Sequence, residues 1–373
     1  MGCTVKIDTM GNIFAIRPGQ NNSLPPIAIG SHLDTQPTGG KYDGILGVVC
    51  GMEVLSVLHE NDVSTYAPLA VVNWTNEEGA RFPQAMCSSG VWADEFPLEY
   101  VHGLKDDSGV SLRSELEKTG YLGEVECSYR ANPLLAHFEV HIEQGPELDR
   151  AEKPAALVRG VESIKWYYIT LTGREGHAGS TPMDERKDAL LGASRIIVAA
   201  NKIVTDTALE SGKLGARATV AWIENYPQSP NTIAGRTKIN LDLRAVTDDY
   251  MDVVIKQCEK DLPKIAEELG LGFKMESYWT SKEILFNTEM AECIRQSARE
   301  EGCDMELVSH IGHDSVYTSR RVPTAMIFAR CKDGISHNPN EYTRPEDCAA
   351  SAQVLLGAYL RYDQTIREQN EGK

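Results

Sequence analysis

The segment GSHLDTQPTGGKYDG, residues 30–44, gathers metal-binding side chains directly behind an apolar run. Pro26-Ile27-Ala28-Ile29 has the composition of a buried strand ending at Gly30. Past that end, His32 and Asp34 stand two residues apart, where strand side chains share a face. A metal-ligating imidazole usually hands its other ring N–H to a carboxylate, and Asp34 is placed to be that orienting partner of His32. Asp43 follows a Gly-Gly turn and precedes Gly44, so backbone can crowd an ion while the carboxylate points at it. A His-x-Asp also serves as the polar end of a core strand, so these residues alone leave the metal and structural readings open.

Further chemistry-bearing groups come at the ends of other apolar runs. Asn76-Glu77-Glu78-Gly79 lies just beyond Leu69–Trp74. Adjacent side chains on an extended segment point opposite ways, so one glutamate can bind metal while the other faces water or substrate. A Glu-Glu pair is also a common solvated surface feature. In LLAHFEVHIEQ, residues 134–144, His137, Glu139, His141 and Glu143 share one strand face, and Phe138, Val140 and Ile142 share the other. The spacing from His137 to His141 is that of a zincin, but Phe138 stands where that motif requires Glu. His337 sits in Gly334-Ile335-Ser336-His337-Asn338-Pro339 after the apolar run Pro323–Phe328, a loop histidine open to a ligand role. Two more loops are polar and glycine-rich beyond a connector's needs: residues 173–182, containing His177, and residues 229–235, containing Asn231. His59 and His102 read as surface or packing residues.

The elements that would position these groups form a βαβ rhythm. A hairpin over Thr4–Arg17 precedes a strand (27–30), the loop with His32 and Asp43, a helix from Ile45 to about Asn61 and a second strand (69–74). A mainly parallel sheet follows, with its chemistry expected outside the carboxyl ends of the strands. From about Gly160 to Gly272 the pattern changes to alternating strands (166–172, 217–223, 238–245) and amphipathic helices (188–204, 250–269), an α+β insert with an antiparallel sheet. The expected fold is thus an α/β catalytic domain made of residues 1–159 and 273–373, interrupted by a smaller lid or dimerisation domain at 160–272.

Composition narrows the function classes. A formal charge of −17 and a pI near 5.0 argue against nucleic acid or an anionic membrane as partner, since both require clustered Lys and Arg. No apolar stretch reaches the roughly 18–20 residues of a membrane span, and the start lacks the basic and apolar regions of a signal peptide. Lys6 stands where a myristoylation motif requires Ser or Thr. Nine cysteines without a C-x-x-C pair point to free thiols in a reducing, cytoplasmic setting.

Taken together, GSHLDTQPTGGKYDGILGV, NEEGARF, HIEQGP, GREGHAGSTPM, PNTIAGRTKINLDLR, GHDS and GISHNPNE run through nearly the whole chain in family order. They resemble the M20 dinuclear-metal hydrolases, in the amidase, hydantoinase and carbamoylase branch that holds β-ureidopropionases, N-carbamoyl-L-amino acid hydrolases and allantoate amidohydrolases. The stretch DTQPTGGKYDGILGV is most similar to fungal β-ureidopropionase (β-alanine synthase)-like sequences. The resemblance implies two divalent metal ions per subunit, zinc foremost, with manganese, cobalt or nickel as alternatives. Asp43 would bridge them, and His32, Glu78, His141 and His337 would complete the two sites. Glu77 would be the general base, His177 the oxyanion stabiliser, Gln144 and Asn231 substrate contacts, and Arg244 the grip on the substrate carboxylate. It further implies a homodimer through the inserted domain, with substrate contacts shared across it.

The implied reaction is hydrolysis of an N-carbamoyl (ureido) group, releasing amino acid, carbon dioxide and ammonia; from 3-ureidopropionate this gives β-alanine, the last step of pyrimidine breakdown. Competing readings are allantoate amidohydrolase, an M20 aminoacylase or exopeptidase, and a non-catalytic metal-binding homologue. Two departures from relatives stand out. They begin several tens of residues before Val5-Lys6-Ile7-Asp8, so the start of the catalytic domain is expected to be missing; and they carry small residues where His310 and Ile311 stand here.

Overall fold

The computed structural model describes residues 1–211 and 215–372. It divides into two compact units, Met1–Gly160 with the chain from Leu285 onward, and Val161–Ile284.

The first unit begins with the antiparallel pair β1 (Thr4–Ile7) and β2 (Ile13–Arg17). β3 (Ile27–His32) and β4 (Leu69–Trp74) then run parallel, in step from Ile27 opposite Leu69 to His32 opposite Trp74, and α1 (Ile45–Glu60) makes the crossover. Every residue of β3 and all but Asn73 of β4 are buried, which is why both strands read as unbroken apolar runs. Three short helices, α2 (Cys87–Trp92), α3 (Leu98–His102) and α4 (Leu112–Thr119), occupy the polar stretch that follows. α4 starts where the Ser111 side chain accepts the Ser114 N–H and stops at Gly120 in the left-handed region.

β5 (Ala136–Ile142) is buried on both faces for two different reasons. Phe138, Val140 and Ile142 join the apolar core with α1 residues such as Leu55 and Leu58. On the opposite face, His137 meets the Trp74 indole N–H and Glu139 accepts from the Ser31 hydroxyl, so the buried polar groups are satisfied. α5 (Glu147–Ala151) and β6 (Ala155–Val161) close this half.

In the second unit, β7 (Ser163–Thr172) leads through the two-residue β8 (Gly176–His177) to α6 (Ala189–Ser211), β9 (Ala216–Thr219), β10 (Ile223–Tyr226), β11 (Thr232–Ile233), β12 (Arg236–Ala245), α7 (Asp248–Glu268) and β13 (Gly272–Ser281). The antiparallel sheet has the order β10-β12-β7-β13, with β9 also on β12. Ile169, Leu171, Leu241 and Leu243 share its core with Ile196 of α6 and Leu262 of α7. Two sequence expectations differ here. The single strand at 217–223 is two strands, both paired with β12, and Asn240 bridges the break by accepting the Trp222 N–H at 2.7 Å. The insert also runs past 272, because β13 pairs with β7 from Thr172 back to Ile164; a register shift between Ser277 and Trp279 breaks the alternation that would have marked it as a strand.

The chain returns to the first unit with β14 (Ile284–Leu285), α8 (Thr288–Glu300), β15 (Met305–Ser309), α9 (Asp314–Thr318), β16 (Thr324–Ala329) and α10 (Pro345–Glu371). The large sheet has the order β1-β2-β4-β3-β5-β16-β6-β14, with β15 on β6. Its centre, β4-β3-β5-β16, is all parallel. α10 is tied to the loop before β4 by Asp363, whose carboxylate accepts the N–H groups of Tyr66 and Ala67 at 2.7 and 2.8 Å.

Candidate metal centre

The parallel strands deliver their polar residues at one edge, as the βαβ pattern requires. His32 ends β3 and is 1% exposed. Its Nδ1 lies 2.9 Å from the backbone oxygen of Asp34, which accepts the ring proton and leaves Nε2 unprotonated. This corrects the expectation for Asp34. Its carboxylate stands 3.8 Å from Nδ1 and instead accepts the backbone N–H groups of Glu77 and Glu78, at 3.2 and 3.1 Å. The strand stops at His32, so the rule that residues two apart share a face no longer governs residue 34. Asp34 therefore positions the glutamate pair.

Asp43 lies at the middle of the donor set, 3% exposed. Its Oδ1 is 3.0 Å from His141 Nε2 and 3.7 Å from His32 Nε2, and its Oδ2 is 3.2 Å from His337 Nε2. Glu78 Oε2 is 3.3 Å from the same His337 nitrogen. His141 donates Nδ1–H to the Ile142 carbonyl at 2.9 Å, aiming Nε2 at Asp43. Gly44 next door has φ 68°, and a Cβ there would fall 2.2–2.4 Å from the His32 ring. Only glycine lets the chain pass so close to the imidazole.

Two groups result, His32-Asp43-His141 and Asp43-Glu78-His337, each with donor atoms within 4.8 Å of one another and with Asp43 in both. His32 Nε2 and Glu78 Oε1 are buried without a hydrogen-bond partner, as atoms reserved for a cation would be. Nitrogen and carboxylate donors suit zinc and its first-row neighbours. The five residues thus fit divalent cations. Against burial, which works the other way in both, the neighbouring imidazoles hold Asp43 below the carboxylate range and the Asp43 carboxylate lifts His141 to about 9. Hydrogen bonds to Asp43 and Glu78 lift His337 to about 10.

Glu77 Oε2 lies 3.6 Å from His32 Nε2, beside both groups. Burial, then the charges of Asp314, Asp34, Glu78 and Glu139, push its carboxyl well above the usual glutamate range. Glu77 and Gln144 line an opening of about 420 Å³. Gln144, with φ 54°, donates from Nε2 to Asp43 Oδ2 and Ser336 Oγ, both at 2.8 Å, while its Oε1 is buried without a partner.

The remaining predicted residues, His177, Asn231 and Arg244, belong to the second unit. β8 and β11 pair there, with His177 opposite Thr232, and the Ala178 N–H donates to the Asn231 carbonyl. The exposed His177 accepts the Gly179 and Ser180 N–H groups at Nδ1, at 3.0 and 3.3 Å, so its neutral ring carries the proton on Nε2. Asn231 Oδ1 accepts the Ser229 hydroxyl. Arg244, on β12, contacts Asp242 through Nε and Nη2.

Several residues near the centre went unassigned from sequence. Gln36 Nε2 donates to Glu78 Oε2 at 2.8 Å, Glu139 accepts from Ser31 and Ser315, and Asp314 accepts from Ser89. His313 packs edge-on against His141, ring centroids 4.4 Å apart. Ile311 of the bulky pair lines the opening, and His310 Nε2 stands 3.8 Å from Glu147. All but Ser89 and Glu147 lie inside or beside motifs singled out above, which was the available signal.

Comparison with known proteins identifies the family. Residues 28–361 match the model of peptidase family M20/M25/M40. The chain is 40% identical over 360 residues to an N-carbamoyl-L-amino-acid amidohydrolase of Rhizobium meliloti, covering 96% of this chain and 85% of that protein. It is 31% identical over 361 residues to the allantoate amidohydrolase of Bacillus subtilis, covering 95% and 85%. A crystal structure of an amidase of the hydantoinase/carbamoylase family from Burkholderia multivorans superposes with a TM-score of 0.88 at 42% identity, covering 96% of this chain and 86% of that one. A parallel sheet that gathers four metal-type donors around one shared aspartate, in a chain matched over nearly its whole length, makes this protein a member of peptidase family M20/M25/M40.

Proposed function

We propose that the protein is a metal-dependent amidohydrolase that cleaves the carbamoyl C–N bond of an N-carbamoyl amino acid. The observation that carries this reading is the Asp43 carboxylate shared by two donor groups with Glu77 beside them, in a chain 40% identical to an N-carbamoyl-L-amino-acid amidohydrolase. His32 and His141 would hold one divalent cation with Asp43, and Glu78 and His337 the other; zinc is the first candidate, followed by manganese, cobalt and nickel. Such ions acidify water and polarise the attacked carbonyl.

Glu77 is the general base in this reading. It takes a proton from water as the hydroxyl oxygen adds to the ureido carbonyl carbon, then gives it to the amino acid nitrogen as the C–N bond breaks. The products are the amino acid and carbamate, which decays to carbon dioxide and ammonia. His177 offers Nε2–H to the oxyanion, a role its donor tautomer supports. Arg244 pairs with the substrate carboxylate, Asn231 contributes amide donors, and Gln144 Oε1 accepts a ureido N–H. The protein acts as a homodimer through the insert and in the cytoplasm; nine free cysteines support a reducing setting.

The test is product release with zinc or manganese from 3-ureidopropionate, an N-carbamoyl-L-α-amino acid, allantoate and an N-acetyl amino acid, scoring ammonia and free amine together. Turnover confined to 3-ureidopropionate or the N-carbamoyl-L-α-amino acid supports the reading, and turnover of allantoate alone replaces it with the second reading below. Free amine from the N-acetyl compound alone replaces it with an aminoacylase, and silence in every well from metal-loaded protein refutes it. Allantoate is the second reading, favoured by the 31% identity to the Bacillus subtilis enzyme.

A further inference from the structure

Glu341 lies four residues beyond His337 and is 5% exposed. Its Oε1 accepts two backbone N–H groups, of Tyr42 at 3.0 Å and of Asp43 itself at 3.1 Å. Its Oε2 accepts the Ser336 hydroxyl at 2.9 Å. Ser336 precedes His337, and the Glu341 N–H closes onto the Asn338 carbonyl, so the turn carrying His337 is bound at both ends.

The hydrogens in this chain have one consistent assignment. Asp43 can only accept, so the Gln144 amide must turn its NH2 toward it. One of those hydrogens goes to Asp43 Oδ2 and the other to Ser336 Oγ, both at 2.8 Å. The single Ser336 hydrogen then goes to Glu341 at 2.9 Å, the shorter of its two options, since Asp43 Oδ2 is at 3.3 Å. Glu341 also packs on bare backbone: a Cβ on Gly40 would lie 2.3–2.5 Å from its side chain. One buried carboxylate thus closes a ring through Gln144, Ser336 and Asp43.

We propose that Glu341 is a positioning residue for the candidate metal centre. By accepting the Asp43 N–H it fixes the backbone from which the shared carboxylate projects, and through Ser336 it sets that carboxylate against the His337 turn. This rests on the metal-centre reading above. A side chain that merely braced a loop would not need to hold the N–H of the one residue both donor groups share.

The experiment is calorimetric titration of metal-stripped protein with zinc, comparing the parent with Glu341→Ala, Glu341→Gln and Ser336→Ala, alongside melting of each metal-free protein. Glu341→Ala is expected to weaken zinc about ten- to a hundredfold, as loss of a ligand's orienting partner does elsewhere. Glu341→Gln keeps an oxygen for both N–H groups and is expected within about threefold of the parent. Zinc affinity of Glu341→Ala equal to the parent's overturns the proposal, whether or not its metal-free melting temperature falls. Should that variant not fold, Ser336→Ala decides: about a three- to tenfold loss supports the ring, and unchanged affinity overturns it. Failure of the parent to bind zinc or manganese at all defeats the metal-centre reading itself, a result distinct from either.

Discussion

Replacing Glu77 by Gln separates the catalytic and structural consequences of one buried carboxylate. Glu77 is 7% exposed, and Asp314, Asp34, Glu78 and Glu139 all act on it with like charge. Without metal, its ionised form has no cation to offset burial. An amide of the same shape removes that repulsion, which we expect to stabilise the metal-free protein by about 1–2 kcal/mol at pH 8. At about 2–4 °C per kcal/mol for a domain of this size, melting should rise by about 2–8 °C. The sign follows from the raised pKa. Stability contributed by the neutral carboxyl is complete below the ordinary glutamate value, about 4.3, and is lost as pH climbs through the raised folded value. The gain from Gln should therefore be near zero at pH 4.5 and larger at pH 8. Turnover should fall about a hundred- to ten-thousandfold, the usual contribution of a general base, with zinc content unchanged. Differential scanning calorimetry in EDTA at the two pH values, with ammonia release from the metal-loaded protein, reads both. A melting point at pH 8 equal to or below the parent's refutes the electrostatic argument, and turnover within tenfold removes Glu77 as the base.

Gly44→Ala would force a Cβ to 2.2–2.4 Å from the His32 ring at φ 68°; we expect zinc affinity to drop at least about tenfold, and an unchanged titration curve would contradict the crowding. Arg244→Ala should raise KM for carboxylate substrates about ten- to a hundredfold with kcat nearly kept, the value of a charged hydrogen bond; an unaltered KM removes that role. Asp363→Ala leaves the Tyr66 and Ala67 N–H groups without their acceptor, which should cost about 2–4 kcal/mol. Its specific activity per folded molecule should match the parent's, so denaturant melts and active-site titration together test it.

The sheet was readable where burial is two-sided. β3 and β4 announce themselves as apolar runs because helices and loops cover both faces, and β5 does so through its alternation of polar and apolar residues. β13 was not readable, because its bulge interrupts the period. In the centre, residue types at strand ends located His32, Asp43, the glutamate pair, His141 and His337, while the family resemblance supplied their division of labour. Asp34 was given the wrong task because a strand rule was extended past the strand. Gln36 and Glu341 stand inside quoted motifs, yet the motifs did not reveal their tasks, since the Glu78 carboxylate and the Asp43 N–H that they hold lie far along the chain.

The order of the large sheet also sets a timetable for synthesis. β5 and β6 leave the ribosome close together, yet β16 must lie between them. At typical translation rates, roughly ten to forty seconds separate Ile142 from Ala329. Throughout that interval the β5 edge offers unpaired main-chain donors and acceptors, a template for the wrong partner. The insert, whose strands span residues 163–281, has its full set sooner. Nascent chains should thus hold a finished insert beside a half-built sheet, and slower, cooler expression should favour soluble protein by weakening the apolar contacts that trap that sheet before its central strand arrives.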